Sequence, residues 1–323
     1  MRCLALAQAW QDAGGQAVFA FAAMPSMLEH RFLSEGFAVV RMPVSAATSE
    51  DAESTIEIAR QRGATWVIVD GDHFDSSFLH RVRSAGLHLF LVDDFAARDS
   101  YPADLILNPN SGAEEASYRK RAATARLCLG ESYVLLRREF SSRPASRAFP
   151  EEGLRVLVTL GGSDPENLSV EIVQALKKVP GCKVTAVAGP GHKHPAELQQ
   201  LGSASVRVLV NPSDMRAVME DADLAIIAAG GTLWELLYME CVVLSYARNP
   251  VQARAVVHLA ERGAVRNMGS TQDLDEGELV AAVTELGQSR ALREQMAKMG
   301  RQTVDGQGCL RVLEILREQG VCE

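Results

Sequence analysis

Short apolar runs alternate along this chain with segments whose apolar residues recur every three or four positions, the rhythm of strands and helices in turn. The opening MRCLALAQAWQDAGG has helical spacing, turns polar early and stops at Gly14 and Gly15, so it reads as an amphipathic helix rather than a signal peptide. The pattern then predicts a strand over residues 16–22, a helix over 25–34, a strand over 38–42 and a helix over 51–62. ATWVIVDG is a strong strand, a helix follows over 76–84, and LHLFLVDD, ADLILN and ARLCLG complete a first half. SSRPASRAFPEEG, residues 141–153, lacks apolar periodicity and is rich in Pro, Ser and Arg, as expected of a linker or an extended crossing. The βα rhythm resumes after it and ends in helices without intervening strands over 276–319. Alternation of this kind predicts an α/β fold of two Rossmann-like domains with parallel sheets, divided as 1–142 and 143–323.

The sharpest local pattern is LRVLVTLGGSDPENLSVEIVQALKKV, residues 154–179. Its valine-rich run suits a parallel strand buried on both faces. Gly161 and Gly162 then let the backbone turn and approach a ligand closely. Ser163, Asp164 and Asn167 are cap-type residues before a helix carrying Ile172, Val173 and Leu176. The N-terminus of that helix, with its positive dipole end, is a candidate anion site, against the alternative of an ordinary glycine turn. A second glycine turn stands in IIAAGGTLWE, where Gly230, Gly231 and Thr232 pass from strand to helix and Glu235 lies one turn in. Thr232 and Glu235 also fit a capping box, which needs no ligand.

Composition narrows the chemistry. The 323 residues are 47% hydrophobic and 23% charged, which fits a globular chain of two domains. A net charge of −8, with no basic stripe, argues against nucleic acid as a partner. No apolar run approaches the roughly 20 residues needed to span a bilayer. Cys3, Cys128, Cys182, Cys241, Cys309 and Cys322 are scattered without metal-ligand spacing, as in reduced cytoplasmic proteins. Candidate chemistry falls at strand ends: Asp70, Asp72 and His73 in VIVDGDHF, and Asp93 and Asp94 in LFLVDD. His73 suits a general acid or a phosphate partner, with a surface histidine as the alternative. Asp93 and Asp94 are read first as strand-end caps. His192 and His194 form a His-x-His pair without a nearby acidic or cysteine ligand, so no metal site is assigned.

Taken in order and spacing, VDGDHF, LVDD, LILNPN, LGESYVLLRREF, VTLGGSDPENLS and AAGGTLWE resemble the UDP-2,4-diacetamido-2,4,6-trideoxy-β-L-altropyranose hydrolases of pseudaminic acid biosynthesis, a GT-B-like family related to spore-coat polysaccharide proteins. The resemblance covers nearly the whole chain, and GESYVLLRREF and GGSDPENLS are its most specific parts. It implies two domains facing a cleft, the N-terminal one for sugar and catalysis, the C-terminal one for UDP. It also implies a cytoplasmic enzyme of polysaccharide biosynthesis and flagellin glycosylation that cleaves the anomeric bond without metal or cofactor. Gly161, Gly162 and Ser163 would lie near the diphosphate, the Gly230–Thr232 turn against phosphate, and Glu235 at the ribose.

Three departures bear on that implication. Members of the family begin with a strand and a loop of the form GxGHxxRCLALA, whose histidine activates the attacking water, whereas this sequence opens at Met1, Arg2, Cys3 and Leu4. Either the start is set at an internal methionine or part of the active site is gone, and the first is favoured because losing an inner strand leaves its neighbours unpaired. His73 or Asp70 would then have to supply the base. Asp72, His73 and Phe74 stand where relatives often carry a tyrosine, and in ARNPVQ the sugar-facing candidates Asn249 and Gln252 are separated by Pro250 and Val251. A GT-B glycosyltransferase and a non-catalytic UDP-sugar-binding protein are the alternatives.

Overall fold

The computed structural model describes residues 1–23, 26–122, 124–142, 146–151 and 153–318. Residues 25, 143 and 319, where a helix start, a domain boundary and a helix end are expected, lie outside them. Two compact units account for the rest: one combines Met1–Arg138 with the chain from Gln307 onward, and the other is Glu139–Gly306.

The first unit runs α1 (Arg2–Asp12), β1 (Val18–Phe21), α2 (Ser26–Ser34), β2 (Ala38–Arg41), α3 (Ser49–Gln61), β3 (Trp66–Asp70), α4 (Ser76–Ser84), β4 (His88–Val92), β5 (Leu105–Asn108) and β6 (Arg126–Leu129). Strands β3, β4, β5 and β6 form a parallel sheet in that order, while β1 and β2 pair separately. Alternation sends Leu89, Leu91 and Ile106 toward Ile56 of α3 and Leu79 and Val82 of α4. Phe90, Val92, Leu105 and Leu107 go to the other face, against Leu6 of α1. Leu4 and Ala7 of the same helix pack with Phe32, Phe37, Phe19 and Phe21. So α1 covers both the β1–β2 pair and the larger sheet, although β1 and β3 are not paired with each other. Ile68 in β3 is accordingly 39% exposed, whereas all of β5 is buried.

The second unit runs β7 (Leu154–Thr159), α5 (Leu168–Leu176), β8 (Cys182–Ala188), α6 (Pro195–Gln200), β9 (Val206–Val210), α7 (Met215–Glu220), β10 (Leu224–Ala228), α8 (Gly231–Tyr238), β11 (Val242–Ala247), α9 (Pro250–Glu261), β12 (Arg266–Ser270), α10 (Glu276–Gln288) and α11 (Arg290–Thr303). Its six strands are ordered β12-β11-β10-β7-β8-β9, and every pairing is parallel. LAIIA and VVLSYA are apolar except for the buried Ser245, because β10 and β11 are buried on both faces. On one face Val156, Val158, Ile226 and Leu244 meet Ile172, Val173 and Leu176 of α5 and Leu279 and Val283 of α10.

The chain ends in α12 (Gly308–Leu316), which returns to the first unit, where Val312, Leu313, Ile315 and Leu316 join Leu6, Phe90 and Val92. This corrects the expected division at its far end, since the apolar stripe of α12 finds its partner face on β4 and β5. Near the other boundary, Arg216 of α7 donates to the Glu139 carbonyl at 2.6 Å and to Ser142 Oγ at 3.0 Å. The segment expected as a linker or an extended crossing is packed where it is described. Arg147 donates to the carbonyls of Met219, Glu220, Ala222 and Met239, and Phe149 is buried in the core of the second unit.

Strand order marks where a candidate site lies. From β7 the chain steps outward through β8 and β9, then returns to the other side of β7 as β10 and steps outward through β11 and β12. The direction reverses between β7 and β10, and ligands of open parallel sheets bind outside the carboxyl ends at such a reversal.

Candidate functional site

The two glycine turns leave neighbouring strands at this switch point, one after β7 and one after β10. Gly161 has φ of +87°, a conformation only glycine adopts without strain. Gly162 and Gly231 have no such constraint, and a Cβ built on either meets nothing within 4 Å. The fold therefore has no need of glycine at these two positions. What they leave is open backbone on the ligand side of the switch point.

The helix end after the first turn differs from expectation. Asp164, 2% exposed, accepts hydrogen bonds from the amides of Leu168 at 3.2 Å and Ser169 at 2.9 Å. An internal carboxylate thus occupies the positive end of α5, and the anion-binding potential shifts to the loop before it. Asn167 lies in the left-handed region at φ of 55° and does not cap the helix; its side-chain amide donates to Glu197 at 2.6 Å. Ser163 is exposed beside Gly162.

The second turn is open in a different way. Helix α8 begins at Gly231 after Gly230, without a side-chain cap. Thr232 is already the second helical residue, so the capping-box alternative does not hold: its serine or threonine must stand just before the helix. Glu235 is buried one turn inside.

Asn249 and Gln252, expected toward sugar, are engaged at the start of α9. Asn249 Oδ1 accepts from the Gln252 amide at 2.9 Å, and Gln252 Oε1 accepts from the Arg248 amide at 2.8 Å. Their carbonyl groups form a cap, with proline at the first helical position. The His-x-His pair diverges. His192 Nε2 faces Ser169 Oγ at 3.2 Å and Asp164 at 3.6 Å, while His194 pairs with Glu197. Behind them, Gly189 and Gly191 press on the first glycine turn: a Cβ on Gly189 would lie 2.5 Å from the Gly161 carbonyl, and Gly191 donates to the Gly162 carbonyl at 2.7 Å.

In the first unit, Asp70 is held at the end of β3. Arg2 grips it with Nε at 3.1 Å and Nη2 at 2.6 Å, and the Cys3 thiol donates to it at 3.2 Å. Arg2 Nη1 also reaches Asp94 at 2.8 Å, and Asn110 donates to Asp94 at 2.9 Å. Burial works to raise the Asp70 pKa, but the bonds and charge of Arg2, with the Cys3 bond, outweigh it and leave the carboxyl below its ordinary range. Asp93 is buried and accepts from Tyr118 at 2.8 Å, Tyr101 at 3.3 Å and the Ala96 amide at 2.9 Å. Its expected role as a cap is one part of a larger buried network. His73 is about half exposed, with Asp72 at 4.0 Å and its ring against Phe74.

A depressed carboxyl stabilises the folded state above its unfolded pKa of about 3.9, and that contribution is lost as pH falls through the lower folded value. Wild type should therefore lose stability progressively below about pH 4. Arg2→Gln should be less stable than wild type at pH 6 and lose less of the remainder on acidification. Urea midpoints between about pH 2 and 6 check this, and parallel curves would show that Arg2 does not hold Asp70.

No family profile matches the chain. Over 201 residues, 60% of its length, the chain is 28% identical to the spore coat polysaccharide biosynthesis protein SpsG of Bacillus subtilis, and the alignment spans 58% of that relative. It superposes on MurG of Acinetobacter baumannii with a TM-score of 0.68 at 17% identity, across 98% of this chain and 95% of the other. UDP-GlcNAc 2-epimerase of Neisseria meningitidis, solved with UDP-GlcNAc bound, superposes with a TM-score of 0.66 at 12% identity, covering 98% of each chain. The fold is GT-B. Among the described residues of this GT-B chain, no helix is long and apolar enough to cross a membrane. The residues that sequence reasoning missed are Arg2, Asn110, Gly189, Gly191 and Arg248. Gly189 and Gly191 had a signal in GPGH, directly after a strand, but only strand order places that loop beside Gly161.

Proposed function

We propose that the second unit of this GT-B chain binds the diphosphate of a UDP-sugar between the glycine turns 161–163 and 230–232, and that the protein hydrolyses the sugar–phosphate bond. The observation that carries the reading is the pair Gly162 and Gly231: two glycines at the switch point that no neighbouring atom and no positive φ require. Glycine there allows a charged ligand to reach the backbone amides directly. The name of the B. subtilis relative supports a role in polysaccharide biosynthesis, and the nucleotide sugar bound by the N. meningitidis epimerase supports the ligand class. Resemblance to the trideoxy-sugar hydrolases supports water as the acceptor and a 2,4-diacetamido-2,4,6-trideoxyhexose as the sugar.

In this reaction water attacks the anomeric carbon on the face opposite UDP, and the configuration inverts. The bond between that carbon and the phosphate oxygen breaks, with its electron pair going to UDP. Loop amides at Gly161–Asp164 and at Gly230–Thr232 act as fixed dipoles toward the developing charge. Glu235 accepts hydrogen bonds from the ribose hydroxyls. Of the two candidate bases, His73 is favoured, because Asp70 is held as an ion-paired carboxylate and accepts a proton reluctantly.

Transfer to an acceptor is the second reading, favoured by superposable structures that are named as a glycosyltransferase and a rhamnosyltransferase. UDP release from the diacetamido-trideoxy UDP-sugar, measured without an acceptor, separates the two. Free sugar appearing with UDP supports hydrolysis; release only after an acceptor is added supports transfer; UDP binding without turnover leaves a nucleotide-sugar-binding protein. Glu235→Ala is expected to weaken UDP binding about tenfold, the value of one charged hydrogen bond. Unchanged affinity in calorimetry would remove Glu235 from the ribose.

A further inference from the structure

Arg248 follows β11 and reaches across to the first glycine turn. Its Nη1 donates to the Leu160 carbonyl at 2.9 Å and to the Ser163 carbonyl at 3.2 Å, spanning Gly161 and Gly162 from both sides. The Gly162 carbonyl between them is held from another direction, by the Gly191 amide at 2.7 Å. Three of the four carbonyl directions from Leu160 to Ser163 are therefore set: those of Leu160, Gly162 and Ser163.

The peptides here are trans, so each N–H points opposite to the carbonyl of its own peptide group. Pinning the Leu160 carbonyl turns the Gly161 amide away from Arg248. Pinning Gly162 and Ser163 does the same for the amides of Ser163 and Asp164 relative to Gly191 and Arg248. Among the described residues these three amides have no acceptor. Unpaired amides held in fixed directions form a cradle for an anion.

The charge around the loop sharpens the role of this side chain. Asp164 and Glu166 stand at 3.5 Å and 3.7 Å from the guanidinium, and Nε and Nη2 are buried without a hydrogen-bond partner. Two carboxylates beside a diphosphate would repel it, and Arg248 is the cation that faces them both. We propose that Arg248 is the positioning residue of the diphosphate site, holding the glycine turn in its amide-presenting form and neutralising Asp164 and Glu166. This deepens the UDP-sugar reading and rests on it.

The test compares uridine with UDP, since the difference in their affinities isolates the diphosphate. Calorimetric titration of wild type, Arg248→Met and Arg248→Lys supplies it. Arg248→Met should lose at least about tenfold in UDP affinity and keep its uridine affinity within about twofold, a split that loss of general stability does not produce. Arg248→Lys keeps the charge but lacks the planar fork, and should recover only part of the loss. If the methionine variant does not fold, the lysine variant carries the test alone. Equal ratios of UDP to uridine affinity in wild type and variants, or full recovery by lysine, overturn the proposal. Wild type that gains no affinity from the diphosphate overturns the UDP reading itself, and the role of Arg248 with it.

Discussion

Gly189→Ala is expected to lower UDP affinity by about 30-fold or more, and Gly162→Ala to match that loss for a different reason. A Cβ on Gly189 would lie 2.5 Å from the Gly161 carbonyl, 2.8 Å from the Gly162 carbonyl and 2.9 Å from the Gly162 Cα. All three are backbone atoms, so the glycine turn itself must move. Overpacking of this kind costs about 1–3 kcal/mol, and the affinity falls because the amides no longer converge. A Cβ on Gly162 meets nothing. That variant should unfold at the wild-type urea concentration or slightly above it, since alanine narrows the unfolded ensemble by about 0.4–1 kcal/mol. Its Cβ instead occupies the space of the ligand. Urea denaturation and UDP titration on both variants make the comparison. A Gly162→Ala protein that binds UDP like wild type would show that the open glycine serves no ligand.

Asp164→Ala is expected to destabilise the protein by about 3–5 kcal/mol, the range for removing one partner from a buried charge pair. The carboxylate caps the first turn of α5 through Leu168 and Ser169. It also faces Arg248 at 3.5 Å and His192 at 3.6 Å. Alanine leaves two helix amides unsatisfied and a guanidinium without its nearest counter-charge. Asn keeps the shape and one acceptor while losing the charge, so Asp164→Asn should cost about 1–3 kcal/mol. A loss below about 1 kcal/mol in the alanine variant would mean that the cluster around the glycine turn is not held by this carboxylate.

Local pattern carried much of the fold. The runs LILN, LAIIA and VVLSYA are strands in the structure because parallel strands buried on both faces are apolar at nearly every position. Helices α3 and α4 begin where Thr48 and Asp75 offer side-chain caps. Both glycine turns were legible for a similar reason: a strand, two glycines and a helix are read from adjacent residues. The return of α12 to the first unit was not legible, because its apolar stripe fits either core equally well as a pattern.

The site divides in the same manner. The sequence by itself determined that two glycine turns each join a strand to a helix, that acidic residues cluster after β3 and β4, and that the chain is α/β throughout. Tertiary structure alone decided which of these residues are available for chemistry. Asp164, read as a cap-type residue, is spent on a helix end, whereas Asp70, read as a strand-end carboxylate open to chemistry, is spent on Arg2, 68 positions earlier in the chain. Arg248 gave no local signal, because its partners Leu160 and Ser163 lie 88 and 85 positions away. The physical reason is common to these cases. Secondary structure follows from contacts within one turn or one strand, whereas hydrogen-bond partners and charge pairing depend on which strands lie side by side, and strand order is set only when the whole sheet is assembled.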